Sequence, residues 1–273
     1  MKKILVVEGN LQEENQSFSK AGIQTHTESL KHSLSYFTDK LNIDVVNPSS
    51  DENINENIDP LESYDGLIWG GSSLNIYNKT PEIVRQIEFM KECQKKINKV
   101  LAICWGMQVA VTAAGGEVKK ADKGSHRGIA RDIEINENGL NHPLYKNKNK
   151  KFNTPAFNFD EVVTLPENST LLASNPINNV QGLNFKIGNC DVWGLQYHPE
   201  ITYNKMINLI IFRKDRLIER GAFKDQNHID DHIKNIEIEN KKLDKFSRMR
   251  ELENWLDSVS YTHLTLPTSS QVV

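Results

Sequence analysis

Three short stretches of this chain carry residue types that can do chemistry. The first is Ala102-Ile103-Cys104-Trp105-Gly106, which lies between the apolar run "KVLAIC" and the small-residue run "WGMQVAVTAAGG". A sharp strand-to-helix turn crowds the positions two before and two after its central residue, and Ala102 and Gly106 fit that crowding. Such a turn lifts the central side chain above the sheet edge. It also sets Cys104 at a helix N-terminus, where the dipole and the open N–H groups favour a thiolate. Taken alone, a cysteine beside an apolar strand is ordinarily a packing residue. The small flanking residues open the second reading, that of a nucleophile.

A cysteine nucleophile needs a base, and the base needs an orienting group. The stretch "GLQYHPE" offers both, His198 and Glu200, at the end of a strand-like run. In extended chain, residues i and i+2 point to the same side. Pro199 between them fixes φ and stiffens that arrangement. By itself the tripeptide also describes a surface histidine at a strand end. The third stretch is Gly70-Gly71, after the run "GLIW". Glycines there let backbone N–H groups approach a ligand oxygen. With the N–H of Trp105 they could form an oxyanion hole. A Gly-Gly pair alone is an ordinary turn, so the coincidence of all three pieces carries the argument.

Elements that could position these residues are legible in the patterning. "KILVV", "IDVVN", "YDGLIWGGSS" and "KVLAIC" read as four buried strands. Between them, a helix is predicted over Leu30 to Leu41. A second is predicted from a Thr80 cap and Pro81 at its first position to about Lys96. "WGMQVAVTAAGG" reads as a helix stopped by Gly115-Gly116. Strands alternating with helices predict an α/β fold with a doubly wound, mostly parallel sheet. Open sheets of this kind hold their sites at the strand C-terminal ends, where all three pieces fall. After Gly116, "GIARDIEI", "STLLAS", "VQGLNFKI" and "DVWGLQY" are strand-like. The last two flank Gly188-Asn189, a hairpin signal. Thr202 to Arg220 reads as one amphipathic helix ended by Gly221.

The expected organisation is a domain over 1–221 and a helical extension over 222–258. In that extension Ile229, Ile233, Ile236, Leu243, Phe246, Met249 and Leu256 recur at roughly helical spacing among charges. It packs on the domain or on another subunit, or stands as a solvated helix. The stretch from 259 to 273 lacks that pattern and reads as a disordered tail or a segment foreign to the native protein.

The chain's 273 residues, 38% hydrophobic and 25% charged, suit a globular protein with a substantial core. A net charge of −3 gives no broad attraction to nucleic acid or an anionic membrane, so neither is expected as a partner. Cys93, Cys104 and Cys190 are too few and too odd in number for a disulfide framework, which points to a reducing compartment. "MKKILVVEGN" is too short in apolar residues for a signal peptide, and the expected location is cytoplasmic.

"WGGSS", "ICWGMQ" and "GLQYHPE", in this order, resemble the class I (triad) glutamine amidotransferases, in particular stand-alone proteins similar to the glutaminase domain of GMP synthase. The likeness covers about residues 1 to 215 and implies a flavodoxin-like sheet. It implies that Cys104 attacks a glutamine side-chain amide, that His198 shuttles protons, and that Glu200 orients His198. Gly71 and Trp105 would supply the oxyanion donors. Gly70 and Gln108 would help hold the substrate, with Arg127 of "GSHRGIA" at the family's contact loop for the α-amino and α-carboxylate groups. No cofactor and no metal are implied. One departure is Asn158 in "FNFDEVV", where relatives often carry histidine. No synthetase domain follows and no phosphate loop is present. Ammonia would therefore pass to a separate synthase subunit or be released. The expected activity is a glutaminase or amidotransferase half-reaction. Its alternatives are a free-standing γ-glutamyl amide hydrolase and a non-catalytic regulatory module on the same fold.

Overall fold

Apolar runs without alternation form strands buried on both faces, and this chain follows that rule. The computed structural model describes residues 1–51 and 53–260. Its elements begin with β1 (Lys2–Val7), α1 (Gln12–Lys20), α2 (His26–Leu34), β2 (Leu41–Val46), β3 (Gly66–Trp69), α3 (Pro81–Lys96), β4 (Lys99–Ile103) and α4 (Trp105–Ala113). There follow β5 (Glu117–Lys120), β6 (His126–Arg127), β7 (Ala130–Ile135), α5 (Glu137–Leu140), β8 (Lys151–Thr154), β9 (Phe157–Asn158) and β10 (Asp160–Thr164). Then come β11 (Thr170–Ser174), β12 (Gly182–Ile187), β13 (Cys190–Leu195) and α6 (Tyr203–Phe212). The last described elements are α7 (Lys214–Glu219), α8 (Gln226–Asn240), α9 (Lys245–Arg248) and α10 (Arg250–Ser260).

Nine strands form one sheet in the order β2-β1-β3-β4-β13-β12-β11-β7-β8. The pairs from β2 through β13 are parallel, and those from β13 through β8 are antiparallel. The expected mostly parallel, doubly wound architecture is therefore present, with an antiparallel wing. Each central strand sends alternate residues into two cores. Leu5, Val7, Leu67, Trp69, Val100 and Ala102 face α3 and α4, while Ile4, Val6, Ile68, Leu101 and Ile103 face α2 and α10. That two-sided burial is why these strands read as continuous hydrophobic runs.

Several boundaries differ from the sequence pattern. The helix expected over Leu30 to Leu41 is α2, which starts and stops earlier. Thr25 and Glu28 form a reciprocal capping box that fixes the start. Leu41 instead opens β2. Helix α3 spans the expected residues, but the Thr80 side chain makes no capping hydrogen bond. The single helix expected over Thr202 to Arg220 divides at Arg213 into α6 and α7.

Beyond Gly221, which has φ +69°, α8 packs Ile229 and Ile236 against Tyr203, Ile210 and Leu217. Helix α10 buries Met249, Leu252, Trp255 and Val259 in the second core. Trp255 lies so close to β3 that a Cβ on Gly66 would meet its ring at 2.8 Å. Trp255→Ala should therefore lower unfolding stability by about 3–5 kcal/mol, measured by urea titration. A change below about 1 kcal/mol would show that α10 contributes little to the core. Residues 261–273, most of the stretch read as a tail, lie outside the described residues. Among the described residues no helix is long and apolar enough to cross a membrane.

Candidate functional site

Parallel pairing of β1, β3, β4 and β13 brings four strand ends to one edge. Gly106 is the steric key to the turn after β4. A Cβ there would sit 2.3 Å from the Trp69 carbonyl oxygen, so only glycine lets α4 start against β3. Cys104 has φ +54° and ψ −104°. This left-handed value costs a non-glycine residue strain, and such strain clusters at functional positions. The turn is held by hydrogen bonds from Cys104 N–H to the Leu195 carbonyl (2.6 Å) and from Gly106 N–H to the Gly70 carbonyl (3.1 Å). Cys104 thus heads helix α4.

The register Leu195↔Ile103 between β13 and β4 carries the next residues of β13 to Cys104. The Gln196 side-chain amide donates toward the Cys104 sulfur at 3.6 Å. His198 follows, anchored by its N–H to the Pro155 carbonyl at 2.8 Å. Its Nδ1–H donates to Glu200 Oε1 at 2.7 Å, with both side chains buried. Burial disfavours the imidazolium, but the charges and hydrogen bonds of Glu200 and Cys104 outweigh it. Together they push the His198 pKa up to about 10. The arrangement is a buried Cys–His–Glu constellation with the imidazole charged at neutral pH.

Gly71 lies directly against this imidazole, since a Cβ there would meet His198 Cε1 at 2.8 Å. It would equally meet the Cε1 of His26 at 2.8 Å. His26 opens α2, and its ring stacks on His198 with centroids 5.5 Å apart. Burial, and then the positive charges of Lys205 and His198, hold its pKa well below the usual value. A neutral imidazole therefore lies along the charged one. Lys205 ties α6 to this region by donating to the Thr25 carbonyl and to Ser29 Oγ. His26, His198 and Glu200 bring possible metal-ligand atoms within 4.8 Å of one another. The hydrogen bond between His198 and Glu200 occupies two of those atoms, and an imidazolium repels a cation. The set suits a proton better than a metal.

Cys104, Trp105 and Gln108 line one pocket with Ser73, Asn158 and Asp160. Gln108 and Gln196 also approach each other, Nε2 to Oε1, at 3.4 Å. Asn158, the departure noted in the sequence, accepts from His126 Nδ1–H at 3.0 Å and donates to the Asp160 carbonyl. His126 is held neutral, with burial lowering its pKa to about 4. An imidazole from β6 thus supports this wall from behind. Arg127, by contrast, lies with its guanidinium over the Phe223 ring at 5.0 Å. It is not among the residues that line the pocket with Cys104.

Four contributors carry no signal in the motifs: His26, Gln196, Asp160 and Arg248. The Arg248 guanidinium, buried at α9, donates to the carbonyls of Pro199 and Ile201 on either side of Glu200. Ser33 Oγ donates to the Glu200 carbonyl at 2.9 Å. Next to His198 in the chain, Tyr197 donates to Glu251 of α10 at 2.6 Å. The "YHPE" segment is therefore clamped by helices from both ends of the chain. Only the capping box before His26 is a local signal for any of this.

The family model described as glutamine amidotransferase class-I matches residues 23–216, a span that holds all three strand-end motifs. The chain is 29% identical over 288 residues to a γ-glutamyl-L-1-hydroxyisopropylamide hydrolase from a Pseudomonas species, covering 98% of this chain and 95% of that protein. It is 31% identical over 148 residues to the glutamine-hydrolysing subunit of GMP synthase from Methanosphaera stadtmanae, covering 54% and 71% of the two chains. The crystal structure of a glutamine amidotransferase from Thermotoga maritima shares the fold with a TM-score of 0.66 at 19% identity, over 94% of this chain and 97% of that one. With a nucleophile-type turn at Cys104 and a family match spanning most of the sheet, the chain belongs to the class-I glutamine amidotransferase family.

Proposed function

We propose that this protein hydrolyses the γ-amide bond of γ-glutamyl amides, with Cys104 as nucleophile, His198 as proton carrier and Glu200 as the group that orients and charges His198. The observation that carries the reading is the juxtaposition of a strained cysteine at a helix N-terminus with a buried imidazolium–carboxylate pair. Glutamine itself is the smallest such amide. The breadth of the likeness to the Pseudomonas hydrolase, nearly end to end in both chains, favours a free-standing hydrolase over a glutaminase that feeds a synthase. The three free cysteines suit a cytoplasmic setting.

In this mechanism the thiolate attacks the γ-carbonyl carbon, and the oxyanion takes hydrogen bonds from the N–H groups of Gly71 and Trp105. His198 delivers its proton to the departing amine nitrogen as the C–N bond breaks, leaving a thioester on Cys104. Water then attacks the thioester while His198 takes its proton. The C–S bond breaks, glutamate leaves and the thiolate–imidazolium pair returns. Gln108 lines the acyl pocket, and Gly70 fixes the turn that presents Gly71. No step calls for a metal or cofactor.

The likeness to the GMP synthase glutaminase of Methanosphaera stadtmanae supports a second reading, glutamine hydrolysis with ammonia passed to a separate synthase. An amine-release assay across glutamine, γ-glutamyl ethylamide and γ-glutamyl dipeptides separates the two. We expect kcat/KM at least about tenfold higher on substituted amides than on glutamine. Preference for glutamine, stimulated by a cell extract, would favour the synthase partner. Absence of any amide hydrolysis would favour a non-catalytic module.

A further inference from the structure

The pocket above Cys104 has a rim that cleavage of a γ-amide does not by itself require. Arg213, Arg216 and Arg220 follow one another at spacings of three and four residues, and all three line this pocket, with Asp160 among its other walls. Arg213 is already engaged. It pairs with Glu14 at 2.7 Å and stacks over Phe18 and Phe157. Both Asp160 oxygens are held, one by Asn75 at 2.7 Å and one by Tyr77 at 3.1 Å. Among the described residues no carboxylate lies within ion-pair distance of Arg216 or Arg220. Burial, and then the like charges of Arg220 and Arg213, depress the Arg216 guanidinium. Two adjacent guanidinium groups thus stand beside the nucleophile against their own repulsion.

Three arginines against Asp160 and the Glu14 that pairs with Arg213 leave one positive charge in excess. A γ-glutamyl head group is a zwitterion and brings no net charge. Glutamine or an alkylamide would leave the rim unbalanced, whereas an amine that itself bears a carboxylate would balance it. Guanidinium groups suit that ligand because their planar fork matches a carboxylate.

Building on the hydrolase reading, we infer that the substrates are γ-glutamyl amino acids or short γ-glutamyl peptides, whose carboxylate on the leaving-amine side is bound by Arg216 and Arg220. The products are then glutamate and a free amino acid or peptide. The reaction that supplies such a substrate must form a γ-glutamyl peptide bond.

The test compares γ-glutamyl-L-alanine with γ-glutamyl ethylamide on the purified full-length protein and on Arg216→Gln/Arg220→Gln. The wild type should favour the carboxylate-bearing substrate by about tenfold or more in kcat/KM. The double variant should bring the ratio close to one, mainly through a higher KM for γ-glutamyl-L-alanine. Circular dichroism should confirm that it is folded. Arg216→Glu, which reverses one charge, should push the ratio below one. Equal rates on the two substrates in the wild type would overturn the inference while leaving the hydrolase reading intact. Equal losses on both substrates in the double variant would also overturn it, because the arginines would then be serving the α-carboxylate of the glutamyl group. Failure of the wild type to cleave either substrate would overturn the hydrolase reading, and this inference with it.

Discussion

Cys104→Ser should lower kcat for γ-glutamyl amide hydrolysis by at least about 10⁴-fold, to the limit of detection. A serine hydroxyl has nearly the size of the thiol but does not ionise beside His198, so attack on the γ-carbonyl carbon loses its nucleophile. The unfolding midpoint should barely move, because the strained turn depends on Gly106 and on the hydrogen bonds to Leu195 and Gly70 rather than on sulfur. Cys104→Ala should behave alike. A glutamine-like diazo ketone should label Cys104 alone, read by peptide mass mapping. Burial pushes the Cys93 thiol well up and the Cys190 thiol up to about 12, so neither offers thiolate at neutral pH. Turnover retained above about one per cent in Cys104→Ser would sink the mechanism, whatever the labelling showed.

His198→Ala should cost nearly as much, about 10³–10⁴-fold in kcat, because both proton transfers run through its imidazole. Glu200→Gln should be milder, since glutamine keeps an oxygen that can accept from Nδ1–H. Its signature lies in the pH profile. In the wild type the charges of Glu200 and Cys104 overcome burial and hold the His198 pKa at about 10. The thiolate–imidazolium pair is then intact through neutral pH and is lost as pH rises through that value. Removing the Glu200 charge leaves burial less opposed, so the His198 pKa must fall. The alkaline limb of kcat/KM should move to lower pH in Glu200→Gln. Measured between pH 6 and 10.5, roughly the span from an ordinary histidine to the raised value, an unmoved alkaline limb would show that Glu200 does not set the charge on His198.

Much of the site is legible in local sequence because its parts are local devices. The Cys104 turn announces itself through Ala102 and Gly106, since the steric demand acts within two residues. Glu200 announces itself beside His198 through the i, i+2 geometry of extended chain. The strands of the parallel half announce themselves as apolar runs because both faces are buried. The capping box at Thr25 is equally local, and it sets the start of α2 ahead of the apolar periodicity that begins at Leu30. At Arg127, likeness to a motif does not translate into position. The side chain lies on the Phe223 face of the C-terminal region instead of in the pocket, a contact between segments far apart in sequence.

From the sequence alone, then, come the nucleophile, its base, the Gly-Gly turn and the α/β class, because sterics and periodicity act over a few residues. Only the tertiary structure decided that β13 lies beside β4 and so sets His198 before Cys104, 94 residues away in the chain. It alone brought His26 under the imidazole, set Arg248 against the carbonyls flanking Glu200, and gathered Arg216, Arg220 and Asp160 around one pocket. Those contacts arise from sheet order and helix packing, and no spacing along the chain encodes them.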